Sequence, residues 1–280
     1  MKGQIIRIIS DLYTVKTEEG KIPCKCRGIF RKMHITPLVG DYVIITPEKK
    51  VIEQILPRKS ELYRPKVANI NQAFIITSLK EPNFDENLLD KLILLMEIHN
   101  IKPIICVTKK DLLNEEESER INKILDYYKK IGYTVLVNTE IDKIKKLISN
   151  NTSVFTGQTG AGKSTLLNKI NPDWNLETSE ISHALGRGKH TTRVVELFEV
   201  ENGQIMDTPG FSSLEFENIP KEQIKEGFVE FSKFPCEFKD CSHTKEHECS
   251  VKKAVIDNNI LETRYENYLK IYQSRWEKWK

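Results

Sequence analysis

The sequence has no long uninterrupted apolar run and no segment that resembles a secretory signal. A membrane-spanning helix needs roughly 18 or more predominantly apolar residues, and no run in this chain approaches that length. The isoleucines of residues 5–9 are interrupted by Arg7 and soon followed by Asp11, unlike the apolar core of a signal peptide. We therefore expect a cytoplasmic protein without a membrane-embedded part.

Cysteine is also sparse, with six residues in a chain of 280. In a reducing compartment, cysteines are more often thiols or metal ligands than disulfides. Cys24 and Cys26 have no second pair nearby, so we interpret them as ordinary strand residues rather than metal ligands. The remaining question is whether the C-terminal cysteines form a metal site.

The length and the charge distribution indicate three domains, which we place at residues 1–64, 65–218 and 219–280. The first holds 13 Lys and Arg against 7 Asp and Glu, the second 18 against 22, and the third 12 against 11. A small basic domain favours a polyanionic partner such as RNA, although a solvated basic face would have the same composition.

The N-terminal 64 residues are predicted to form a small β-barrel such as an OB-fold. Short β-branched runs, separated by turn residues, cover residues 5–9, 12–15, 41–45 and 51–56. A basic cluster lies between two of these strands and consists of Lys25, Arg27, Arg31 and Lys32. Phe30 lies within this cluster, which we interpret as a loop carrying an aromatic side chain for contact with nucleic acid.

The middle of the chain alternates between predicted strands and helices. Buried strands are expected at residues 73–77, 102–107, 133–137 and 152–156, and amphipathic helices at 87–98 and 115–130. This alternation predicts a mostly parallel sheet with helices on both faces. Ligands of such sheets bind beyond the carboxyl ends of the strands.

The most specific motif follows the strand at 152–156 and precedes a predicted helix at 164–170. It consists of Gly157, Gln158, Thr159, Gly160, Ala161, Gly162, Lys163 and Ser164. A strand, a glycine-rich loop ending in Gly-Lys-Ser and a helix form a P-loop, and a chance match is the weaker alternative. Backbone N–H groups from residue 160 to Thr165 and the Lys163 ammonium are expected to bind phosphates. The Ser164 hydroxyl is expected to bind Mg²⁺.

A second motif follows the predicted strand at 102–107 and consists of Thr108, Lys109, Lys110 and Asp111. The Asp111 carboxylate can accept two hydrogen bonds, from N1–H and the 2-amino group of guanine. Adenine lacks this pair of donors and would leave the carboxylate unpaired, which is costly. The stem of Lys109 is expected to lie along the base. The motif alone is weak, but its place at a strand end in a chain with a P-loop favours guanine recognition.

Two further segments contribute candidate magnesium and γ-phosphate contacts. A polar stretch, residues 171–193, contains Thr191 and Thr192, either of which can complete magnesium coordination. Asp207 follows a short predicted strand and is expected to hold Mg²⁺ directly or through water. The N–H of Gly210 is expected to contact the γ-phosphate.

The motifs are those of a GTPase, but in a changed order, because the guanine motif precedes the P-loop. A circular permutation that keeps the three-dimensional site explains this order. One alternative is an ATP-dependent P-loop enzyme, against which the guanine motif argues. The other is a non-catalytic RNA-binding factor with a vestigial nucleotide site, against which Lys163, Ser164 and Asp207 argue.

The C-terminal segment carries four candidate ligands of a structural zinc ion within 14 residues. They are Cys236, Cys241, His243 and Cys249, with His247 as an alternative to His243. Three thiolates and one imidazole suit a closed tetrahedral site. Predicted helices at 252–261 and 264–279 follow, and a metal ion would stabilise a segment too small to bury much core.

The order and content of these motifs closely resemble the small-ribosomal-subunit-dependent GTPase A (RsgA) family of bacteria, over the whole chain. The resemblance implies an N-terminal OB-fold β-barrel, a central circularly permuted P-loop GTPase with a mostly parallel sheet, and a C-terminal helical zinc-binding domain. It also implies slow hydrolysis of GTP to GDP, accelerated by the small ribosomal subunit late in its maturation, and contact with ribosomal RNA near the decoding centre. We accordingly expect Mg²⁺ with GTP, one structural Zn²⁺ and a monomeric chain.

Two departures from ordinary GTPases affect the expected mechanism. Phe211 follows Gly210, where many GTPases have a glutamine that orients water. The resemblance suggests His190 as the catalytic residue instead, and the alternative is a loop histidine that contacts RNA. The loop after Val137 contains Asn138 and Thr139 where other GTPases have Ser-Ala, so its donor to the base is unassigned.

Overall fold

The structure is a computed structural model. It describes residues 1–33, 35–62, 66–174, 196–200, 202–207 and 219–273, without the side chains of Arg31 and Asp207. Along the chain, a β-barrel is followed by a sheet covered with helices and then by a helical C-terminal segment.

The N-terminal part is a five-stranded barrel. Its strands are β1 Lys2–Ile9, β2 Leu12–Thr17, β3 Gly20–Cys26, β4 Tyr42–Thr46 and β5 Val51–Ile55, and helix α1 is Gly28–Lys32. Pairing runs in the order β1-β2-β3-β5-β4 and closes by pairing β4 with β1. Strands β3 and β5 run parallel, and the other pairs are antiparallel. A closed barrel of five strands agrees with the predicted OB-fold.

Alternate side chains of the barrel strands fill its interior, as the period of two requires. Ile5, Val15 and Ile52 are fully buried there. Phe30 packs into the same core and is 7% exposed, so its ring serves mainly packing, and contact of the basic cluster with nucleic acid stays a prediction. Because a barrel this small has few large apolar residues, helix α1 contributes the ring of Phe30 to the core and leaves Ile29 exposed.

The central part is a six-stranded sheet with helices on both faces. A short hairpin of β6 Glu61–Leu62 and β7 Val67–Ala68 precedes this sheet. In chain order, the strands of the sheet are β8 Gln72–Ser78, β9 Lys102–Thr108, β10 Thr134–Val137, β11 Thr152–Gly157, β12 Glu196–Val200 and β13 Gly203–Asp207. Its helices are α2 Glu86–Ile98, α3 Glu115–Ile131, α4 Ile141–Ile148 and α5 Lys163–Ile170. The spatial order is β10-β9-β8-β11-β13-β12, in which β12 alone runs antiparallel to its neighbour β13.

Each face of this sheet has its own apolar core. On one face, Ile75 of β8 and Ile105 of β9 pack against Leu92 of α2 and other residues of α2 and α3. On the other face, the rings of Phe74 and Phe155 stack with centroids 4.8 Å apart, beneath α4 and α5. Strands buried on both faces need nearly continuous apolar sequences, which is why these runs were recognisable.

The C-terminal segment is helical and packs beside α2. It contains α6 Lys221–Glu226, a 3₁₀ turn at Val229–Lys233, α7 Ser250–Ile256 and α8 Glu262–Gln273. Phe228, Phe231 and Tyr268 form the centre of its core, with ring centroids 5.0 to 5.3 Å apart. The aromatic residues of α8 therefore serve packing, as their helical spacing suggests.

The barrel and the central sheet are joined by a strand pair. Arg7 of β1 pairs with Glu196 of β12, which extends the central sheet into the barrel. Beside this junction, Gln204 Nε2 donates to Gln4 Oε1 at 2.8 Å. Within the described ranges, no helix has both the length and the apolar character needed to cross a membrane.

Candidate nucleotide site and metal centre

The structure places three of the predicted motifs at one edge of the central sheet. Strands β9, β11 and β13 belong to its parallel part, so their carboxyl ends meet at the same edge. Thr108 ends β9, Gly157 ends β11 and Asp207 ends β13. This edge is where ligands of open α/β sheets bind.

Close packing at the end of β11 determines the shape of the predicted P-loop. Gly157 has a φ of 141°, and a Cβ built there would lie 1.9 Å from the carbonyl oxygen of Ile76 on β8. Glycine is therefore required for both conformation and space. The loop then exposes Thr159 and Gly160, buries Ala161 and enters α5 at Lys163. This turn leaves the N-terminus of α5 facing the sheet edge, as anion binding requires.

A hydrogen bond joins the P-loop to the guanine motif. Thr108 Oγ1 donates to the carbonyl oxygen of Ala161 at 2.7 Å, and Thr108 is 1% exposed. The two motifs are therefore in contact although 53 residues separate these positions. The predicted role of Thr108 is nucleotide binding, and in the structure its side chain links the two loops.

The guanine motif is held by contacts on both sides. Lys109 adopts a left-handed backbone with φ 56°, and its Nζ donates to the carbonyl oxygen of Glu81. Lys110 and Asp111 lie in a 3₁₀ turn that ends at Leu112, with the Asp111 side chain exposed. The exposed carboxylate is available to a ligand. The contact of Lys109 with Glu81 is not predictable from the sequence, because no local pattern marks it.

The start of α3 supports the same loop. Asn114 and Glu117 form a capping box, in which Glu117 N–H donates to Asn114 Oδ1 at 2.8 Å. Lys80 Nζ lies 2.8 Å from a Glu117 carboxylate oxygen, and this hydrogen bond lowers the pKa of Glu117. The guanine motif is thus fixed between the segment after β8 and the beginning of α3.

The loop after β10, whose role was unassigned, lies beside the guanine motif. Asn138 N–H donates to the carbonyl oxygen of Val107 at 2.9 Å. Glu140 closes this loop by accepting a hydrogen bond from Val137 N–H at 2.8 Å. The loop therefore borders the position where a base would lie.

Several predicted residues lie outside the described part of the chain. They are His190, Thr191, Thr192 and Gly210. Asp207 is described only in its backbone. Their assigned roles in magnesium binding and catalysis stay predictions.

The four predicted zinc ligands come together in the C-terminal segment. The ligand atoms of Cys236, Cys241, His243 and Cys249 all lie within 4.8 Å of one another. Cys236 Sγ and Cys249 Sγ are 3.7 Å apart, and His243 Nδ1 lies 3.3 to 3.5 Å from the three sulfur atoms. The cluster could hold a metal ion. His247 is exposed and outside it.

Hydrogen bonds fix the loop that carries His243. Tyr265 OH donates to the His243 carbonyl oxygen at 2.8 Å. Glu246 accepts hydrogen bonds from the backbone N–H of Ser242 at 2.7 Å and of Thr244 at 2.8 Å. Burial raises the pKa of Glu246, but hydrogen bonds of this kind outweigh burial and lower the pKa to about 2. Burial lowers the pKa of His243, which favours the neutral imidazole that a metal ion needs.

Two family models match the chain. One is described as the RsgA GTPase and matches residues 55–217, and the other is described as the RsgA N-terminal domain and matches residues 2–52. These matches cover the barrel and the central sheet with both nucleotide motifs.

Curated relatives and solved structures cover nearly the whole chain. The small ribosomal subunit biogenesis GTPase RsgA of Bacillus cereus is 44% identical over 277 residues, with 95% of this chain and 94% of that protein covered. The RsgA of Latilactobacillus sakei is 46% identical over 279 residues, with 95% and 93% covered. A crystal structure of YjeQ from Thermotoga maritima has a TM-score of 0.85 at 33% identity, with 99% of each chain covered. A crystal structure of YloQ, described as a circularly permuted GTPase, has a TM-score of 0.82 at 37% identity, with 98% and 94% covered.

These findings confirm the resemblance and the three-part fold class predicted from the sequence. The permuted motif order, the barrel and the cysteine-rich segment all occur in one chain that relatives match from end to end. The chain belongs to the RsgA family of circularly permuted GTPases.

Proposed function

We propose that this chain binds GTP at the shared sheet edge and hydrolyses it to GDP while assisting the biogenesis of the small ribosomal subunit. The observation that carries the proposal is the hydrogen bond from Thr108 to Ala161, which brings a guanine motif and a P-loop together. The names of the relatives supply the small subunit as the partner. Such an arrangement argues against a vestigial site, because both halves of a nucleotide site are retained.

The residues of the site divide between the two ends of the nucleotide. Lys163 and the N–H groups of residues 160–165 would hold the phosphates, and the Gly210 N–H would contact the γ-phosphate. Lys109 and Asp111 would bind guanine. Magnesium would be bound by Ser164, Asp207 and one of Thr191 and Thr192.

We propose that the metal of the C-terminal cluster is zinc. Bond lengths of about 2.3 Å to sulfur and 2.0 Å to nitrogen place tetrahedral ligands about 3.8 Å apart for two sulfurs and 3.5 Å for sulfur and nitrogen. The separation of 3.7 Å between the sulfurs of Cys236 and Cys249 and the separations of 3.3 to 3.5 Å from His243 Nδ1 agree with this geometry, and all ligand atoms lie within 4.8 Å of one another. Zinc would act structurally, because four protein ligands leave no open position.

We propose that the barrel contacts ribosomal RNA. A groove of about 660 Å³ on the barrel surface is lined by Lys25 and Arg27, among others. Arg27 pairs with Glu53 at 2.6 Å, whereas the side chains of Lys25 and Lys32 are exposed. Exposed cations beside a groove suit a phosphate backbone.

We infer that the barrel (residues 1–64), the GTPase part (65–218) and the zinc-binding segment (219–280) are three domains that act together. A single chain carries every residue assigned to the site, so the protein would act as a monomer. GTP and ribosomal subunits are cytoplasmic, which places the proposed activity in the cytoplasm.

The test is GTP hydrolysis by the purified protein, with and without small ribosomal subunits, beside the variant His190→Ala. We expect strong stimulation by the subunit, lost in His190→Ala while GTP still binds. Lys123→Ala, which changes an exposed residue of α3, is the control and should behave as wild type. No hydrolysis under either condition, with GTP and RNA bound, would favour the alternative of a non-catalytic RNA-binding factor.

A further inference from the structure

A buried ion cluster joins the C-terminal segment to the GTPase part. Arg264 of α8, Asp90 of α2 and Glu230 of the 3₁₀ turn are each 1% exposed. Arg264 Nη1 donates to Asp90 Oδ1 at 2.5 Å, and its Nη2 donates to Glu230 Oε2 at 3.1 Å. Its Nε also donates to Glu230. One guanidinium therefore bridges carboxylates from two parts of the molecule.

Neighbouring side chains complete the hydrogen bonds of this cluster. Tyr128 OH donates to Asp90 Oδ1 at 2.6 Å, and Asn267 Nδ2 donates to Asp90 Oδ2 at 2.8 Å. The ring of Phe228 lies against the guanidinium, with 4.7 Å from Cζ to the ring centroid. Burial alone would lower the pKa of Arg264, but Glu230 and Asp90 raise it above its usual value. Loss of Arg264 would leave carboxylates unpaired in the interior.

Apolar packing attaches the same helix, α2, to both cores. Leu89 and Leu92 belong to the core beneath the central sheet, and Leu94 belongs to the core of the C-terminal segment. A Cβ at Gly227 would lie 2.3 Å from Leu94 Cδ1, so the chain at Gly227 approaches α2 as closely as glycine allows. Helix α2 is therefore fixed by the C-terminal segment at Asp90 and at Leu94.

The segment before α2 touches the guanine motif. Leu79 N–H donates to the carbonyl oxygen of Thr108 at 3.1 Å, and Lys109 Nζ donates to the carbonyl oxygen of Glu81. Asp85 then caps α2 by accepting from Leu88 N–H at 2.9 Å. A chain of direct contacts thus runs from the guanine motif through residues 79–85 and α2 to Arg264.

We propose that Arg264 is a positioning residue for guanine binding, acting through α2 on the loop that carries Lys109 and Asp111. By fixing α2, it holds residues 79–85 where the Glu81 carbonyl orients Lys109. This inference rests on the proposed nucleotide site. The base is common to GTP and GDP, so the effect on their affinities is the same, and the phosphate end of the site is affected less.

The first experiment compares wild type with Arg264→Met by equilibrium titration with GDP and with GTP, and by GTP hydrolysis. We expect both dissociation constants to rise by the same factor, on the order of fivefold or more, with kcat at saturating GTP retained. Arg264→Lys should give an intermediate rise. Lys270→Met also replaces a cationic side chain by Met, but on the exposed face of the same helix. It should leave both dissociation constants and kcat unchanged.

Two results would overturn the proposal. Unchanged affinities in a folded Arg264→Met protein would show that the cluster stabilises the C-terminal segment only. A loss of nucleotide-binding stoichiometry at an unchanged dissociation constant would show a purely structural role. Hydrogen exchange separates positioning from a purely structural role. Positioning predicts faster exchange at residues 79–85 and 108–112 in Arg264→Met than in wild type, whereas a structural role predicts unchanged exchange there.

A second variant applies if Arg264→Met does not fold. Arg264→Lys keeps a positive charge between Asp90 and Glu230 but cannot make all the hydrogen bonds of the guanidinium. Its dissociation constants for GDP and GTP should rise by the same factor. Unchanged affinities in a folded Arg264→Lys protein would contradict the proposal. Failure of the wild type to bind guanine nucleotides would instead contradict the proposed site.

Discussion

Asp111 has an exposed carboxylate on a firmly held loop, which is what recognition of a base requires. The 3₁₀ turn that carries it lies between Lys109, bound to Glu81, and the capping box of Asn114 and Glu117. Because the loop is fixed before a ligand arrives, less conformational freedom is lost on binding. In the proposed site, the Asp111 side chain would then determine which base is accepted.

Asp111→Asn should weaken GTP binding and favour xanthosine triphosphate. Each hydrogen bond to a charged group contributes about 1.5 to 3 kcal/mol, and the amide offers a donor where guanine also has one. Xanthine carries a carbonyl group at that position instead. Competition between the two nucleotides measures the switch, with Asp126→Asn on α3 as the control. An unchanged preference for guanine would refute the assignment of Asp111.

Cys249→Ser should lower the zinc content and the stability of the C-terminal segment. A serine hydroxyl is a poor replacement for a thiolate, and the remaining ligands would leave the tetrahedron open. His247→Ala is the matched control, because His247 is exposed and outside the cluster. Metal analysis and thermal unfolding provide the measurements. Equal zinc content in Cys249→Ser and wild type would remove Cys249 from the ligand set.

At the scale of elements, the end of β11 shows how tightly the P-loop is built into the sheet. Gly157 combines a left-handed φ with a close approach to β8. Because Gly157 packs so closely on β8, a shift of β8 would also move the start of the P-loop. The proposed phosphate site therefore begins directly at the end of β11, in contact with β8, rather than on a separate loop.

Gly157→Ala should destabilise the protein by about 2 kcal/mol or more and weaken nucleotide binding, because the added methyl group has no space. Gly132→Ala separates the two causes. Gly132 also has a positive φ, 115°, but a Cβ there has nothing within 4 Å. Its cost is limited to backbone strain, about 1 kcal/mol. Urea unfolding of both variants measures the difference, and equal losses would mean that the close contact with Ile76 is unimportant.

Local pattern explains which elements were predictable from the sequence. The buried strands β8, β9 and β11 have continuous apolar runs, and the P-loop has a fixed spacing, so both could be recognised. Helix α4 was not assigned, although Ile141, Ile144 and Ile148 follow a helical period. Its eight residues fall within a polar stretch, and short helices depend on tertiary packing more than on propensity.

Contacts between distant residues could not be predicted. Phe30 is buried because the small barrel needs its ring to fill the core. The sequence around Phe30 does not show this need. Arg264 and Asp90 are 174 residues apart, and no local signal distinguishes a buried arginine from an exposed one. The candidate ligands were predictable by type and spacing, whereas the contacts that position them required the fold.

At the scale of the whole molecule, the excess positive charge is separated from the nucleotide site. The first 64 residues hold 13 Lys and Arg against 7 Asp and Glu, and residues 65–218 hold an excess of acidic residues. A polyanion would therefore be attracted to the barrel side and repelled near the GTPase part. If the barrel contacts RNA as proposed, this charge distribution would orient the chain as it approaches the RNA.

Lys25→Ala and Lys32→Ala should each weaken binding to the small subunit and lower its salt dependence. Each lysine that contacts a phosphate contributes about one unit to the slope of log affinity against log salt. Lys123→Ala on α3 should leave the slope unchanged. Filter binding at several salt concentrations measures the slopes. Slopes identical to wild type in both barrel variants would place the RNA contact elsewhere.

The pairing of β1 with β12 has a consequence for the behaviour of fragments. In a piece of the chain that starts at residue 66, β12 would lose its pairing with Arg7 at Glu196, and its outer edge would be unpaired from that first residue onwards. Free edges pair with other copies and lead to aggregation. The barrel thus blocks this edge at its first residue, and a GTPase fragment prepared without it should associate strand to strand more readily than the whole chain, whatever its affinity for nucleotide.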